Sequence, residues 1–159
     1  MTGANREGIN FNIIGTNYKL TNIQAAIGFG QLENIDELLN KRIQLANNYK
    51  KLIKSFSKIN LPKVLDPKPN CQHSFQTYIV YIEDRDRVMN EMRAKGIEVQ
   101  IGSYSLHMHK AFNENSQVEI KGDLENSKWC FNHALALPLY NDLTFELQEV
   151  IINELNSCL

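Results

Sequence analysis

The amino-acid sequence predicts an α+β fold, in which long N-terminal helices pack on a small, mainly antiparallel sheet together with further helices. Three observations lead to this class. Apolar residues recur at the spacing of an amphipathic helix over residues 35–56. Residues 74–83 are rich in β-branched and aromatic side chains, as strands are. A short helical pattern and an alternating run at residues 97–102 follow, which completes a strand–helix–strand unit.

Composition and charge exclude several classes of protein. The chain has 159 residues, which is enough for one domain with a real core. Its net charge of -1 gives no electrostatic footprint for nucleic acid or for an anionic membrane. The apolar run at residues 77–82 is far too short to span a bilayer. We therefore expect neither nucleic acid nor a membrane as a partner.

The cysteines indicate the compartment. Cys71, Cys130 and Cys158 are widely spaced and form no CxxC motif. This usage is typical of a reducing environment and argues against a disulfide framework or a zinc site. Residues 1–12 also lack the positive and apolar regions of a secretory signal. We therefore expect a cytoplasmic protein.

The N-terminal part is predicted to be helical. Thr21 and Gln24 have the spacing of a capping box, so a helix is expected to begin there. Gly28 and Gly30 lie inside this helix, where each costs about 1 kcal/mol relative to alanine. Either the close approach of another element or subunit or a tight helix contact within the chain would explain that cost. The long helix over residues 35–56 follows.

A connector at residues 61–70 divides the chain. It contains three prolines, and these predict an extended conformation. We predict that residues 1–60 form an interface segment with long helices. Residues 61–159 are predicted to form an α+β part.

The second part begins with the strand–helix–strand unit. Asp84 is expected to cap its helix, and Gly96 is expected to end it. Residues 103–112 fit neither a helix nor a strand clearly. A helix capped by Asp123, a short strand and a last helix capped by Thr144 complete the prediction.

Motifs that carry their own chemistry are missing from the sequence. The chain contains no nucleophile elbow, phosphate-binding loop, zinc-protease motif or dinucleotide fingerprint. His107 and His109 would share one face of a strand, but a metal site needs three or four ligands and nothing nearby completes the set. We therefore predict no catalytic residue and no metal site in this chain.

One stretch has a specific resemblance. Residues 15–53 read GTNYKLTNIQAAIGFGQLENIDELLNKRIQLANNYKKLI. This stretch resembles the DegT/DnrJ/StrS family of sugar aminotransferases, whose pattern is roughly G-x-N-Y-R-M-[ST]-x-I-Q-A-A-x-G-x-x-Q-L. Two positions depart from it, because Lys19 stands where arginine is usual and Leu20 where methionine is usual. The stretches GIEVQIGSYSLHMHKAF and ALALPLYNDLTFELQEVI are similar to two later family segments, in the same order.

The resemblance implies a fold and an activity. Members are pyridoxal-phosphate enzymes that aminate keto sugars linked to nucleotides, in the synthesis of amino sugars, polysaccharide or lipopolysaccharide. This chain resembles their C-terminal part, which includes the small domain of a pyridoxal-phosphate-dependent transferase-like fold. The large domain with the Schiff-base lysine is expected to be missing. We therefore expect the chain alone to be inactive and to bind no cofactor, although the complete enzyme uses pyridoxal phosphate.

The resemblance also implies site residues and a homodimer. Asn17 is expected to reach the cofactor phosphate of the other subunit through its amide group, which donates to phosphate oxygens. Tyr18 and Lys19 are expected to approach the substrate, and Lys19 keeps a positive charge without the bidentate fork of arginine. Tyr104 and His107 lie where the family's Y-x-L-H segment approaches the nucleotide sugar. In the alternative interpretation, the triplet at 17–19 only shapes a turn and His107 is only packed.

Two further expectations concern surfaces and class. Without the large domain, Ile23, Ile27 and Phe29 are expected to form an exposed apolar patch. The alternative to an aminotransferase part is a free-standing, non-catalytic domain for ligand binding or regulation. The strand–helix–strand unit at residues 75–101 would suit such a module.

Overall fold

A computed structural model describes residues 19–63 and 71–159. The chain divides into two compact units, residues 1–37 and 38–159. Asn17, Tyr18 and most of the proline-rich connector lie outside the described residues. The division of the chain at residue 60 stays a prediction.

The first helix, α1, spans Asn22–Leu32. The predicted capping box is confirmed: the Gln24 N–H donates to Thr21 Oγ1 at 3.2 Å, and the Thr21 N–H donates to Gln24 Oε1 at 3.0 Å. No residue of α1 is buried, and Ile23, Ile27 and Phe29 are 74%, 63% and 67% exposed. The predicted apolar patch is therefore confirmed.

The glycines of α1 are not crowded within this chain. A Cβ atom added at Gly28 or Gly30 would meet no atom within 4 Å. The close contact that these glycines suggested is therefore not made in the part of the chain that the structure describes.

The second helix, α2, spans Ile35–Ile53. Its first turn carries Asp36 and Glu37 and its last turn Lys50 and Lys51, charges that complement the helix dipole. The helix was predicted to reach residue 56. It ends at Ile53, where the Lys54 N–H donates to the Lys51 carbonyl, three residues back instead of four, which tightens the last turn.

Three short strands form the sheet of the second unit, in the order β1, β3, β2. They are β1, Tyr78–Tyr81; β2, Gln100–Ile101; and β3, Ala134–Leu137. Both pairings with β3 are antiparallel, which agrees with the predicted α+β class and its mainly antiparallel sheet. Helix α3, Arg85–Ala94, connects β1 to β2, so the strand–helix–strand unit is present with β3 inserted between its strands.

The remaining elements surround the sheet. A 3₁₀ turn spans Leu106–Met108, α4 spans Lys110–Asn113, α5 spans Glu125–His133 and α6 spans Phe145–Ser157. The ambiguous segment at residues 103–112 thus contains a turn and a short helix. His107 and His109 consequently do not share the face of a strand, as the spacing alone had suggested.

The predicted caps have different outcomes. Thr144 caps α6, because its hydroxyl accepts from the Leu147 N–H at 3.2 Å. The prediction for Asp84 is wrong: its backbone is left-handed, with φ of 50°, and its side chain makes no capping bond. Asp123 accepts from the Glu125 N–H at 3.3 Å, although Leu124 occupies the cap position itself.

One face of the sheet forms the core of the second unit. Tyr78 opposes Leu137 and Val80 opposes Leu135, and all four side chains are buried. Helix α2 packs on this face, where the Tyr49 and Tyr78 rings lie 4.9 Å apart. The core comprises Leu45, Ala46, Tyr49, Ile53, Ile59, Tyr78, Val80, Ile82, Val88, Met92, Val99, Leu135, Leu137, Leu143, Ile151, Ile152, Leu155 and Cys158.

Two polar side chains in the interior of the second unit, Gln148 and Tyr49, are hydrogen-bonded. The amide nitrogen of Gln148 donates to the Leu45 carbonyl at 2.9 Å, and its oxygen accepts from Asn48 at 2.9 Å. Tyr49 donates its hydroxyl to the Pro138 carbonyl at 2.9 Å. Burial raises the pKa of Tyr78 to about 12 and raises that of Tyr49 further, so both phenols stay neutral at physiological pH.

Gly102 fixes the end of β2 against β3. Its N–H donates to the Ala134 carbonyl at 2.9 Å, and an added Cβ would lie 3.0 Å from Ala134 Cβ and 3.1 Å from its carbonyl carbon. We expect Gly102→Ala to lower the free energy of unfolding by about 1–3 kcal/mol, because backbone must move to relieve the overlap. Urea denaturation measures the change. Gly28→Ala adds a methyl group in open space and is expected to stabilise its helix by about 1 kcal/mol, so the two variants should change stability in opposite directions. Equal stability of the two variants would contradict the prediction.

Candidate active-site surface

Tyr104 and His107 lie together on the segment that follows β2. They line an open cleft of about 400 Å³ between this segment, the loop at residues 118–121 and the start of α5. Tyr104 is 61% exposed and His107 is half-buried. The structure therefore brings these two predicted site residues to one surface.

His107 is fixed in this cleft by a buried serine. Ser105 is fully buried, and its Oγ lies 2.9 Å from His107 Nδ1 and 2.9 Å from Ser127 Oγ. Ser127 lies in the first turn of α5 and also lines the cleft. Neither Ser105 nor Ser127 has a signal in the sequence, because their contact joins segments 22 residues apart.

An aromatic cluster supports Tyr104. Its ring lies 6.2 Å from the ring of Phe131 and 6.1 Å from that of His109, and His109 meets Phe131 edge-on at 5.5 Å. The guanidinium of Arg85 lies over the Phe131 ring at 5.3 Å and donates to the Phe131 carbonyl. Arg85 is only 2% exposed, so a buried cation underlies the cluster.

Tyr104 also borders a second cleft. This cleft, of about 460 Å³, lies along the edge of the sheet at β2 and the end of β3. Polar side chains of Gln76, Thr77 and Gln100 surround it, and Ala136 forms part of its lining. The exposed side chain of Tyr104 thus lines both clefts.

Of the other predicted site residues, the structure describes Lys19 alone. Lys19 is exposed and belongs to the first unit, whereas the clefts belong to the second. Asn17 and Tyr18 lie outside the described residues, so their predicted contacts stay predictions.

The described residues do not fit covalent attachment of pyridoxal phosphate. A Schiff base needs a lysine whose amine is activated by burial or by a neighbouring cation. Every lysine in residues 19–63 and 71–159 is exposed except Lys41, which is half-buried and lies over the Phe145 ring at 5.6 Å. The described residues therefore supply no amine suited to the Schiff base.

Among the described residues, no group of three or more histidine, cysteine or acidic side chains could hold a metal ion. No helix in that part of the chain is both long enough and apolar enough to cross a membrane.

Residues 2–156 match the model of the DegT/DnrJ/EryC1/StrS aminotransferase family. The chain belongs to this family. The DegT-family chain is 32% identical over 140 residues to the GDP-perosamine synthase of Caulobacter vibrioides, an alignment that covers 84% of this chain and 36% of that protein. It is 24% identical over 136 residues to an uncharacterized protein, MJ1066, of Methanocaldococcus jannaschii, covering 82% of this chain and 34% of that one.

Solved structures show the same DegT-family fold. The structure of S. venezuelae DesV in complex with a ketimine intermediate superposes with a TM-score of 0.80 at 22% identity, covering 96% of this chain and 40% of that one. Helicobacter pylori PseC, an aminotransferase involved in the biosynthesis of pseudoaminic acid, gives a TM-score of 0.77 at 18% identity, covering 98% and 42%. The chain thus spans about two fifths or less of the length of these relatives.

Proposed function

We propose that this chain forms the C-terminal part of a pyridoxal-phosphate-dependent aminotransferase that acts on nucleotide-linked keto sugars. The family match over residues 2–156 carries the proposal. The similarity to a GDP-perosamine synthase supports a sugar nucleotide as the substrate class and amino-sugar or polysaccharide synthesis as the context. The unpaired cysteines support a cytoplasmic location.

The cleft at Tyr104 and His107 is proposed to contact the substrate. An exposed aromatic ring that neighbouring side chains hold in place is suited to stacking on a sugar or a nucleobase. His107 supplies a polar ring nitrogen at the same surface. Tyr18 and Lys19 are proposed to approach the substrate from the first unit, with Lys19 as a point charge for the diphosphate.

A homodimer is the proposed assembly. Helix α1 exposes apolar side chains along its length and carries Ala25, Ala26, Gly28 and Gly30, which allow a second backbone to approach closely. In such a dimer, Asn17 is proposed to donate to the cofactor phosphate held by the other subunit. The large domain of the complete enzyme would cover further apolar surface.

The function can be tested on the full-length enzyme that carries this chain. The assay measures amino transfer from an amino-acid donor to GDP-, UDP- and dTDP-linked keto sugars. Tyr104→Ala is expected to lower kcat/KM. Tyr140→Ala removes another exposed tyrosine, lies outside both clefts and serves as the matched control. If the cofactor-loaded enzyme aminates none of these sugars, the alternative of a non-catalytic binding domain is the better account.

The 159-residue chain alone is expected to form no aldimine with pyridoxal phosphate. The reason is that its described lysines are solvated cations, and none is buried as an activated amine requires. The measurement is absorbance in the internal-aldimine band, followed by borohydride reduction and peptide mapping. The full-length enzyme is the positive control. Stoichiometric trapping on a single lysine of the chain would contradict the prediction.

A further inference from the structure

The hydroxyl of Ser105 does not make the capping hydrogen bond that the position of this residue suggests. It occupies the cap position of the 3₁₀ turn, where a serine hydroxyl ordinarily accepts a backbone N–H of the turn. Here the side chain makes no capping bond, and the Met108 N–H donates to the Ser105 carbonyl instead. The hydroxyl is left for His107 Nδ1 and Ser127 Oγ, each at 2.9 Å.

A hydroxyl has one proton to donate, so this three-residue chain of hydrogen bonds has a direction. In one arrangement Ser127 donates to Ser105 and Ser105 donates to His107 Nδ1, which leaves the ring proton on Nε2. In the other, Nδ1–H donates to Ser105 and Ser105 donates to Ser127. An arrangement in which Ser105 only accepts is disfavoured, because the proton of this buried hydroxyl would then have no partner. The hydrogen bond at one ring nitrogen thus sets the protonation of the other.

The position of Ser127 favours the first arrangement. Ser127 lies in the first turn of α5, whose backbone N–H groups form the positive end of the helix dipole. A hydroxyl there is most stable with its oxygen towards the N–H groups and its proton pointing away. Its proton then points to Ser105, which in turn donates to His107.

We propose that Ser105 and Ser127 are positioning residues that hold neutral His107 as its Nε2–H tautomer, so that Nε2 donates to an acceptor oxygen of the sugar nucleotide. Nε2 makes no hydrogen bond with any residue in the described part of the chain, and His107 lines the cleft. The first half of the proposal concerns this chain alone. The second half, the acceptor oxygen, rests on the proposed function.

Ring-nitrogen NMR of the labelled 159-residue chain tests the tautomer. Long-range ¹H–¹⁵N spectra recorded at about pH 8.5 distinguish the two neutral tautomers of the ring. His107→Gln assigns the signals. Neutral histidine in water already favours Nε2–H, so the informative quantity is the change in tautomer ratio. We expect Ser105→Ala to lower the excess of Nε2–H about five-fold, the equivalent of one neutral hydrogen bond.

Two further variants distinguish an effect of this chain of hydrogen bonds from an effect of side-chain packing. Ser127→Ala is expected to shift the tautomer ratio in the same direction but less, because Ser105 still donates to Nδ1. Ser127 is half-exposed, so the fold tolerates this substitution. Ser103→Ala, two residues before Ser105 and without a side-chain hydrogen bond in the described part of the chain, should leave the ratio unchanged. Protonation of Nδ1 in the wild type, or equal shifts in the Ser103 and Ser105 variants, would overturn the proposal.

The second half is tested by kinetics of the full-length enzyme. Ser105→Ala is expected to raise KM for the sugar nucleotide about two- to ten-fold and to change kcat little. If inhibition by the nucleoside diphosphate weakens by the same factor, the acceptor is a phosphate oxygen; if it does not, the acceptor is on the sugar. An unchanged KM would overturn the substrate contact. Absence of any sugar amination would instead refute the proposed function and leave the NMR result on the tautomer standing.

Discussion

Leu135→Ala should destabilise the second unit by about 2–5 kcal/mol, the range for removing a fully buried leucine side chain. Leu135 lies in the middle strand of the sheet, is 0% exposed, and pairs with Val80 on one side and Ile101 on the other. Because both neighbouring strands meet it, the cavity cannot close by moving a single element. Urea denaturation followed by circular dichroism measures the loss.

Leu147→Ala provides the matched control for this substitution. It makes the same chemical change on α6 at a side chain that is exposed, and such changes alter stability by less than about 0.5 kcal/mol. A loss at Leu135 no larger than that at Leu147 would mean that the middle strand does not organise the core. Parallel slopes of the two denaturation curves would show that the folded state is otherwise unchanged.

Asn17→Ala should weaken cofactor retention in the full-length enzyme roughly ten- to hundred-fold. The expected loss is one hydrogen bond to a charged phosphate, which contributes about 1.5–3 kcal/mol. Fold and dimer are expected to persist, because the substitution removes only a small amide. Equilibrium dialysis of pyridoxal phosphate measures retention, and light scattering checks the dimer.

Mixing two variants tests whether Asn17 acts across the interface. The partner variant lacks the Schiff-base lysine of the large domain but keeps its Asn17. In a two-fold heterodimer, one of the two sites then has both groups intact. Turnover should recover to about half that of the wild type per heterodimer, on simple site counting. If heterodimers form and mixing restores nothing, Asn17 only shapes the turn before α1.

Signals contained within a few residues predicted the fold well. The capping box of Thr21 and Gln24, the cap at Thr144 and the left-handed Gly96 all depend on neighbours three or four residues away. Asp84 has an equally local signal but fails, because its carboxylate lies 3.5 Å from the Arg87 side chain and accepts no backbone N–H of the first turn of α3. Where backbone N–H groups and a nearby side chain can both bind the same carboxylate, the sequence does not show which of them does so.

Strand lengths and the site depended on distant contacts. Residues 74–77 have strand-like composition, yet Arg42 of α2 binds the carbonyls of Phe75 and Gln76 at 2.7–3.1 Å, and only Tyr78–Tyr81 has a partner in β3. The resemblance found Tyr104 and His107, which the structure brings together. Neither composition nor spacing could show that Ser105 is buried against them or that Arg85 is buried beneath Phe131 rather than solvated.

The strand order sets the order of events during synthesis. β3 is the last of the three strands to leave the ribosome, yet it lies between the other two. β1 and β2 therefore have no partner strand until β3 has been synthesised. Until then each of them exposes an unpaired edge. Pairing between segments so far apart in sequence is slow, and unpaired strand edges can associate with other chains. We expect the sheet to assemble in one step after residue 137 emerges, with the nascent chain shielded by chaperones until then.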